Sequence, residues 1–377
     1  MNSIIFSLAS LLVCFEVHSQ NVELQSEKPP LWMVFNKSNT SMPGNSVSSI
    51  AQDAAGMIWV GVSGKLMGFN GKEWKNFHKP GFWKSSSEIT CIAVDEQQRK
   101  WVGNSTGGIG ILEDEDWIVM NKKNSGLTDN HITSIAIDDK SRVWIGALSG
   151  GLIVYDDGKW KTYNTDSSEI PDNKVLALTI DAKQDVILQT KSGLAKFDRD
   201  STWEVYQDEK YNMPMQYANS IATGPGGFTA IACGTSSSGE IGGLVYFKNG
   251  FSNIFTHLNS PLKNNNVSSV AIDRHGGLWV TCRNFSSDDF KNETESFIKG
   301  GILYNKVGGW NDLTPEFSRF LKSTPVNIVN YPGIETEKEA EINCHNVQVV
   351  FIDISGNKWF GTSNGLFVYN ENGVVFK

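Results

Sequence analysis

SIAIDDKSRVWIG, running from Ser134 to Gly146, recurs through the chain in close copies, among them SIAQDAAGMIWVG from Ser49 and SVAIDRHGGLWVT from Ser269. A catalytic signature is needed once, whereas a stretch rewritten at a fixed period is a structural unit. Its Asp marks the copies at Asp53, Asp95, Asp138, Asp181, Asp273 and Asp353, the first four being 42, 43 and 43 residues apart. A degenerate copy, SIATGPGGFTAIACG from Ser220, fills the gap between Asp181 and Asp273 and makes seven units. Six residues after the Asp stands a Trp in five of them: Trp59, Trp101, Trp144, Trp279 and Trp359. The fourth unit has Ile187 there, and the fifth has lost the pattern.

Four short runs in each unit read as strands. In the third unit they are HITSIAID, RVWIG, GLIVYDD and KWKTYN, rich in β-branched or aromatic residues and bounded by Gly, Asp or Asn. The Asp opens the turn between the first two. Units one, six and seven spell it Asp-x-x-Gly (Asp53/Gly56, Asp273/Gly276, Asp353/Gly356), so the carboxylate accepts turn N–H groups while Gly takes positive φ. The repeated acid is therefore read as a turn former and not as a catalyst. Four strands per unit at a period of about 40 to 45 residues predict an all-β fold, a seven-bladed β-propeller of four-stranded antiparallel blades. Small residues along the first strand (Ser49/Ala51, Ser134/Ala136, Ser269/Ala271) suit the crowded axis, and the Trp suits the wider gap between sheets. LWMVFNKSNTSMPGNSV, from Leu31, matches the end of an ordinary unit such as DWIVMNKKNSGLTDNHI from Asp116. The N-terminal strand around Trp32 is thus expected to close blade seven by pairing with GLFVYN, Gly365 to Asn370.

Composition agrees with many short strands and turns: the 377 residues include 36 glycines and 12 tryptophans, with 40% apolar residues to build a core. A formal charge of −8 without a basic cluster argues against nucleic acid or an anionic membrane as partner. IIFSLASLLVCFEV, Ile4 to Val17, is too short to span a bilayer and reads as the core of a signal peptide over residues 1–19, cleaved after Ser19. A short segment, 20–30, then leads into the propeller over 31–377. The expected location is periplasmic or secreted. Lipidation through Cys14 is the lesser alternative, because Val13 is a poor residue before a lipidated cysteine. No other segment reaches the length of a transmembrane span. Cys91, Cys233, Cys282 and Cys344 remain, without the CxxC spacing of a zinc site. Cys91 takes the Ser position of the repeat and is expected to be a small core residue.

SIAIDDKSRVWIGALSGGLIVYDDGKWKTYN resembles the two-component regulator propeller repeat, found in the exported sensor halves of bacterial hybrid two-component systems. The resemblance rests on the recurrent D-x-x-G-x-x-W-[VI]-G-x-x-x-G-L pattern and covers nearly all of the chain after the signal. It implies a ligand-sensing module and brings no fixed catalytic residues or cofactors. Full sensors of that family resemble larger assemblies with two seven-bladed propellers, an immunoglobulin-like domain, a membrane helix and a kinase. This chain resembles a detached sensor module.

Up-and-down blades put the connections between strands two and three on the same face as the links between blades, and the long insertions fall there. They are Arg283–Gly300 and Pro315–Cys344, with a smaller one at Gly234–Gly243. Loops on a rigid scaffold carry recognition, so this face is the candidate site for a small-molecule or glycan ligand. Its aromatic residues are Phe82 and Trp83, Tyr211 and Tyr217, Phe285 and Phe290, and Tyr331, rings able to stack on sugars or to anchor their own loops. Arg283 joins them at the start of its insertion. His131 and His345 lie in inter-blade links of this face, as do His78 and His257, without a metal-ligand spacing, so no metal is assigned. Cys282 and Cys344 approach the same face from adjacent blades and, with Cys233 nearby, are candidates for one disulfide. Two other readings are kept: a scaffold for a protein partner, and a metal-dependent enzyme resembling the streptogramin lyases.

Overall fold

A computed structural model describes residues 30–77, 87–207, 214, 217–235, 242–283, 301–306, 309–313 and 346–376. Their regular elements are β-strands, arranged as seven four-stranded antiparallel sheets. The innermost strands are Val47–Gln52, Ile89–Val94, Ile132–Ile137, Val175–Ile180, Ala218–Gly224, Val267–Ile272 and Val347–Ile352. Each packs against the next and the last against the first, which closes a seven-bladed propeller. In blade three the order outward is Ile132–Ile137, Val143–Ala147, Gly151–Asp156 and Lys159–Tyr163, the same four runs marked in the sequence.

Closure occurs as the N-terminal match predicts. Trp32–Phe35 is the outermost strand of blade seven, antiparallel to Gly365–Tyr369, with Trp32 opposite Tyr369 and Phe35 opposite Leu366. Phe35 is buried among Phe69, Trp74, Trp359 and Phe376, so the closing strand also seals blade seven to blade one.

The Asp and Trp of the repeat form one unit. The indole N–H donates to the carboxylate of the Asp six residues earlier at 2.9 Å in blade one, 2.8 Å in blade two, 2.9 Å in blade three, 3.4 Å in blade six and 2.8 Å in blade seven. The other carboxylate oxygen takes turn amides, as in Lys140 and Arg142 to Asp138. A buried ring is thereby placed between sheets with its one polar group satisfied. Blade four has Ile187 at the Trp position, and Lys196 pairs with Asp181 and Asp185 in the indole's stead. Blade five has Gly224 and Ala230 at the two positions. The space is filled by Phe228, stacked on Tyr246, and a Cβ on Gly224 would come within 2.3 Å of the Phe228 ring.

The Gly of the W-[VI]-G run marks close approach between blades. A Cβ on Gly61 would lie 3.0 Å from Ile89, one on Gly103 2.9 Å from Ile132, and one on Gly146 2.8 Å from Val175. Each contacted residue opens the first strand of the next blade, where it is fully buried.

Candidate functional site

Two faces follow from strand direction. The amide that opens the strand two-to-three connection donates to the carbonyl just before the same blade's first strand: Ser63 to Ser46, Ser105 to Glu88, Leu148 to His131, Lys191 to Lys174, Gly234 to Tyr217 and Arg283 to Asn266, at 2.7–3.0 Å. Both kinds of connection therefore lie on one face. The strand ends bracketing the two large insertions belong to it too, since Cys282 pairs with Gly301 and the Leu313 amide reaches the Ile302 carbonyl. The Asp turns, with His275, occupy the opposite face.

At the axis lies a cavity of about 400 Å³, lined by all seven innermost strands and by Arg283. Every innermost strand slips register near its start, as between Val47 and Ser49 or Ile132 and Ser134. The residue left over by such a bulge is re-aimed, and here it reaches the neighbouring blade. Ser48 Oγ donates to the Ile89 carbonyl (2.6 Å), Thr90 Oγ1 to Ile132 (2.6 Å), Thr133 Oγ1 to Val175 (3.0 Å), Asn219 Nδ2 to Val267 (2.9 Å) and Ser268 Oγ to Val347 (2.7 Å). The belt is broken where Leu176 and Gln348 hold the position. These polar residues of the cavity were not singled out in the sequence, although a hydroxyl one place before the repeat's Ser or Cys recurs in four units.

Arg283 stands apart from this neutral lining. Its N–H donates to the Asn266 carbonyl and its own carbonyl accepts from Asn264 Nδ2, both at 2.9 Å, so the backbone is fixed on two sides. Its Nε is buried with no hydrogen-bond partner among the described residues. Burial lowers the guanidinium pKa, with Glu88 opposing. The corresponding places in the other blades hold Ser63, Ser105, Leu148, Lys191, Gly234 and Ser363, of which Ser63 and Lys191 are exposed.

The other candidates fare differently. Tyr217 is half-buried in the link entering blade five, and His131 is half-buried in the link entering blade three, its amide bonded to Asp129. Neither lines the cavity. Trp83, Tyr211, Phe285, Phe290, Tyr331 and His345 lie outside the described residues, as do Phe82, His78 and the expected signal segment. His257 pairs its Nδ1 with Asn265. Cys91 is half-buried, packs against the core cluster of Trp101, Ile109 and Ile132, and also lines the axial cavity. Cys282 carries a free thiol, pushed up to about 12 by burial, while its candidate partner Cys344 lies outside the described residues. Among the described residues no group of three or more His, Cys, Asp or Glu could hold a metal ion, and no helix is long and apolar enough to cross a membrane.

Three stretches, 41–64, 126–148 and 261–284, match the two component regulator propeller family, so these repeats are of that type. No curated protein matches the sequence. Among solved structures the fold is similar to that of two B. thetaiotaomicron proteins described as extracellular domains of hybrid two component systems. For BT3049 the TM-score is 0.66 at 20% identity, over 91% of this chain and 41% of that one. For BT4673 it is 0.61 at 16% identity, over 91% and 40%. This chain thus spans about two fifths of the length of those domains. Virginiamycin B lyase from Staphylococcus aureus is similar in fold at TM-score 0.60 and 12% identity, over 90% of this chain and 98% of that one.

Proposed function

We propose that this chain is an exported, sensor-like propeller that binds a small molecule or glycan where the axial cavity opens on the loop-bearing face. One observation carries the reading: a polar cavity lined by all seven innermost strands lies on the axis of the face to which every long connection is attached. Concave sites with a few placed polar groups on a rigid frame are where small ligands bind. The repeat type, shared with sensor propellers, agrees with this use. Trp83, Tyr211, Tyr217, Phe285, Phe290 and Tyr331 are assigned the wall around the opening, with Arg283, His131 and His345 as its polar members. The signal peptide over 1–19 delivers the chain to the periplasm or beyond.

A thermal-shift screen against glycans, small metabolites and metal ions, with and without chelator, tests the proposal. A ligand at a hundred times its Kd adds about 2.7 kcal/mol to native stability. At least one compound is expected to raise Tm in a saturable way that Tyr217→Ala or Trp83→Ala weakens. A hit whose effect disappears with chelator points to the lyase-like alternative, and a hit indifferent to both substitutions places binding elsewhere.

A further inference from the structure

Arg283 raises a problem of charge. A guanidinium donates only and stays protonated, so burying it needs an acceptor that is itself anionic or a set of carbonyls. Elsewhere this chain obeys that rule. Arg99 Nε meets Asp95 at 2.7 Å, Arg142 Nε meets Asp138 at 2.8 Å, and Arg199 Nη1 meets Asp138 at 3.2 Å and Asp139 at 2.7 Å. Each holds a carboxylate even where one of its nitrogens is left over. Arg283 forms no ion pair among the described residues, and its Nε is buried without an acceptor.

The surroundings do not supply one. The hydroxyl and amide groups of the axial belt donate to the carbonyls of neighbouring blades, and none of them is anionic. Glu88 is solvent-exposed on the link entering blade two, and it acts on Arg283 at a distance without pairing. Meanwhile the backbone bonds to Asn264 and Asn266 hold this position at the cavity wall. Among the described residues the cavity wall thus carries one charged side chain, the half-buried Arg283, held there without a carboxylate partner.

We infer that Arg283 is the anion-recognising residue of the axial cavity and that the ligand presents it an oxyanion, a carboxylate or a phosphate group. The inference rests on the reading that this cavity binds a ligand and narrows its chemistry. Charge-assisted bonds from a guanidinium are stronger than neutral ones and carry geometric selectivity. The hydroxyl-lined remainder of the wall accommodates the rest of the molecule.

Melting curves at constant ionic strength provide the test, with inorganic phosphate or acetate replacing chloride for wild type, Arg283→Met and Arg283→Lys. Wild type is expected to gain Tm with phosphate or acetate and not with chloride, and the responding arm tells phosphate from carboxylate. Arg283→Met is expected to melt higher than wild type in chloride, freed of an uncompensated charge, and to bind the responding anion at least about tenfold more weakly. Arg283→Lys should keep part of the response. If Arg283→Met melts lower and all three proteins respond alike to every anion, the residue is structural and the inference fails. A neutral compound that binds wild type and Arg283→Met equally overturns the inference while leaving the ligand-binding reading intact.

Discussion

Asp138 shows how much one repeated residue does. Its Oδ1 accepts the amides of Lys140 and Arg142, and its Oδ2 accepts the Trp144 indole, Arg142 Nε and Arg199 Nη1. Removing the carboxylate leaves a buried indole N–H and two guanidinium groups without it, so Asp138→Ala should cost about 3–5 kcal/mol in chemical denaturation. Burial raises the Asp138 pKa, but the bonds from Trp144, Arg142 and Lys140 outweigh it and hold the carboxyl below its ordinary value. The unfolded chain therefore binds this proton more readily. The stabilisation is complete above the unfolded pKa of about 4 and disappears as pH falls through the folded value. Acid titration of stability should be flatter for Asp138→Asn than for wild type. The sequence displayed both members of the pair, read separately as a turn former and a gap filler. Their bond was not legible from the pattern: blade five lacks both, with Gly224 and Ala230 in their places, but blade four keeps Asp181 with Ile187 at the Trp position.

Among elements, the innermost strand with its bulge sets the spacing of the ring. The bulge places the belt residues against the next blade, and the Gly of the second strand lets that blade come close. Gly146→Ala would put a methyl 2.6 Å from Ser134 Oγ and 2.8 Å from Val175 Cγ1. Such overpacking typically costs about 1–3 kcal/mol, and a melt of this variant should show it. Blade number, strand order and closure by Trp32–Phe35 were all readable, because the period and the terminal match repeat through the chain. The bulge was not. Strict alternation was assumed along each first strand, and one extra residue shifts which side chains meet the axis. For the same reason Cys91, expected in the core and packed against it, also lines the cavity.

Over the whole molecule, seven similar blades leave the ring nearly uniform, and function must come from where it is not. Arg283 is such a place: one half-buried cation with a buried Nε, in a position held by smaller, apolar or exposed residues in the other six blades. In the sequence it was only the first residue of an insertion, since the partners of a side chain across a ring are not written locally. Aromatic loop residues were easy to pick out but, of the described ones, Tyr217 does not line the cavity. The central claim is that recognition occurs at the axis, on the loop-bearing face. Hydrogen–deuterium exchange with and without the strongest hit of the thermal-shift screen measures this directly. The account predicts added protection at the starts of the innermost strands, near Ser48, Thr90, Thr133 and Ser268, and at Arg283. Protection confined to the Asp turns around 53–57, 138–142 and 273–277, on the opposite face, would contradict it.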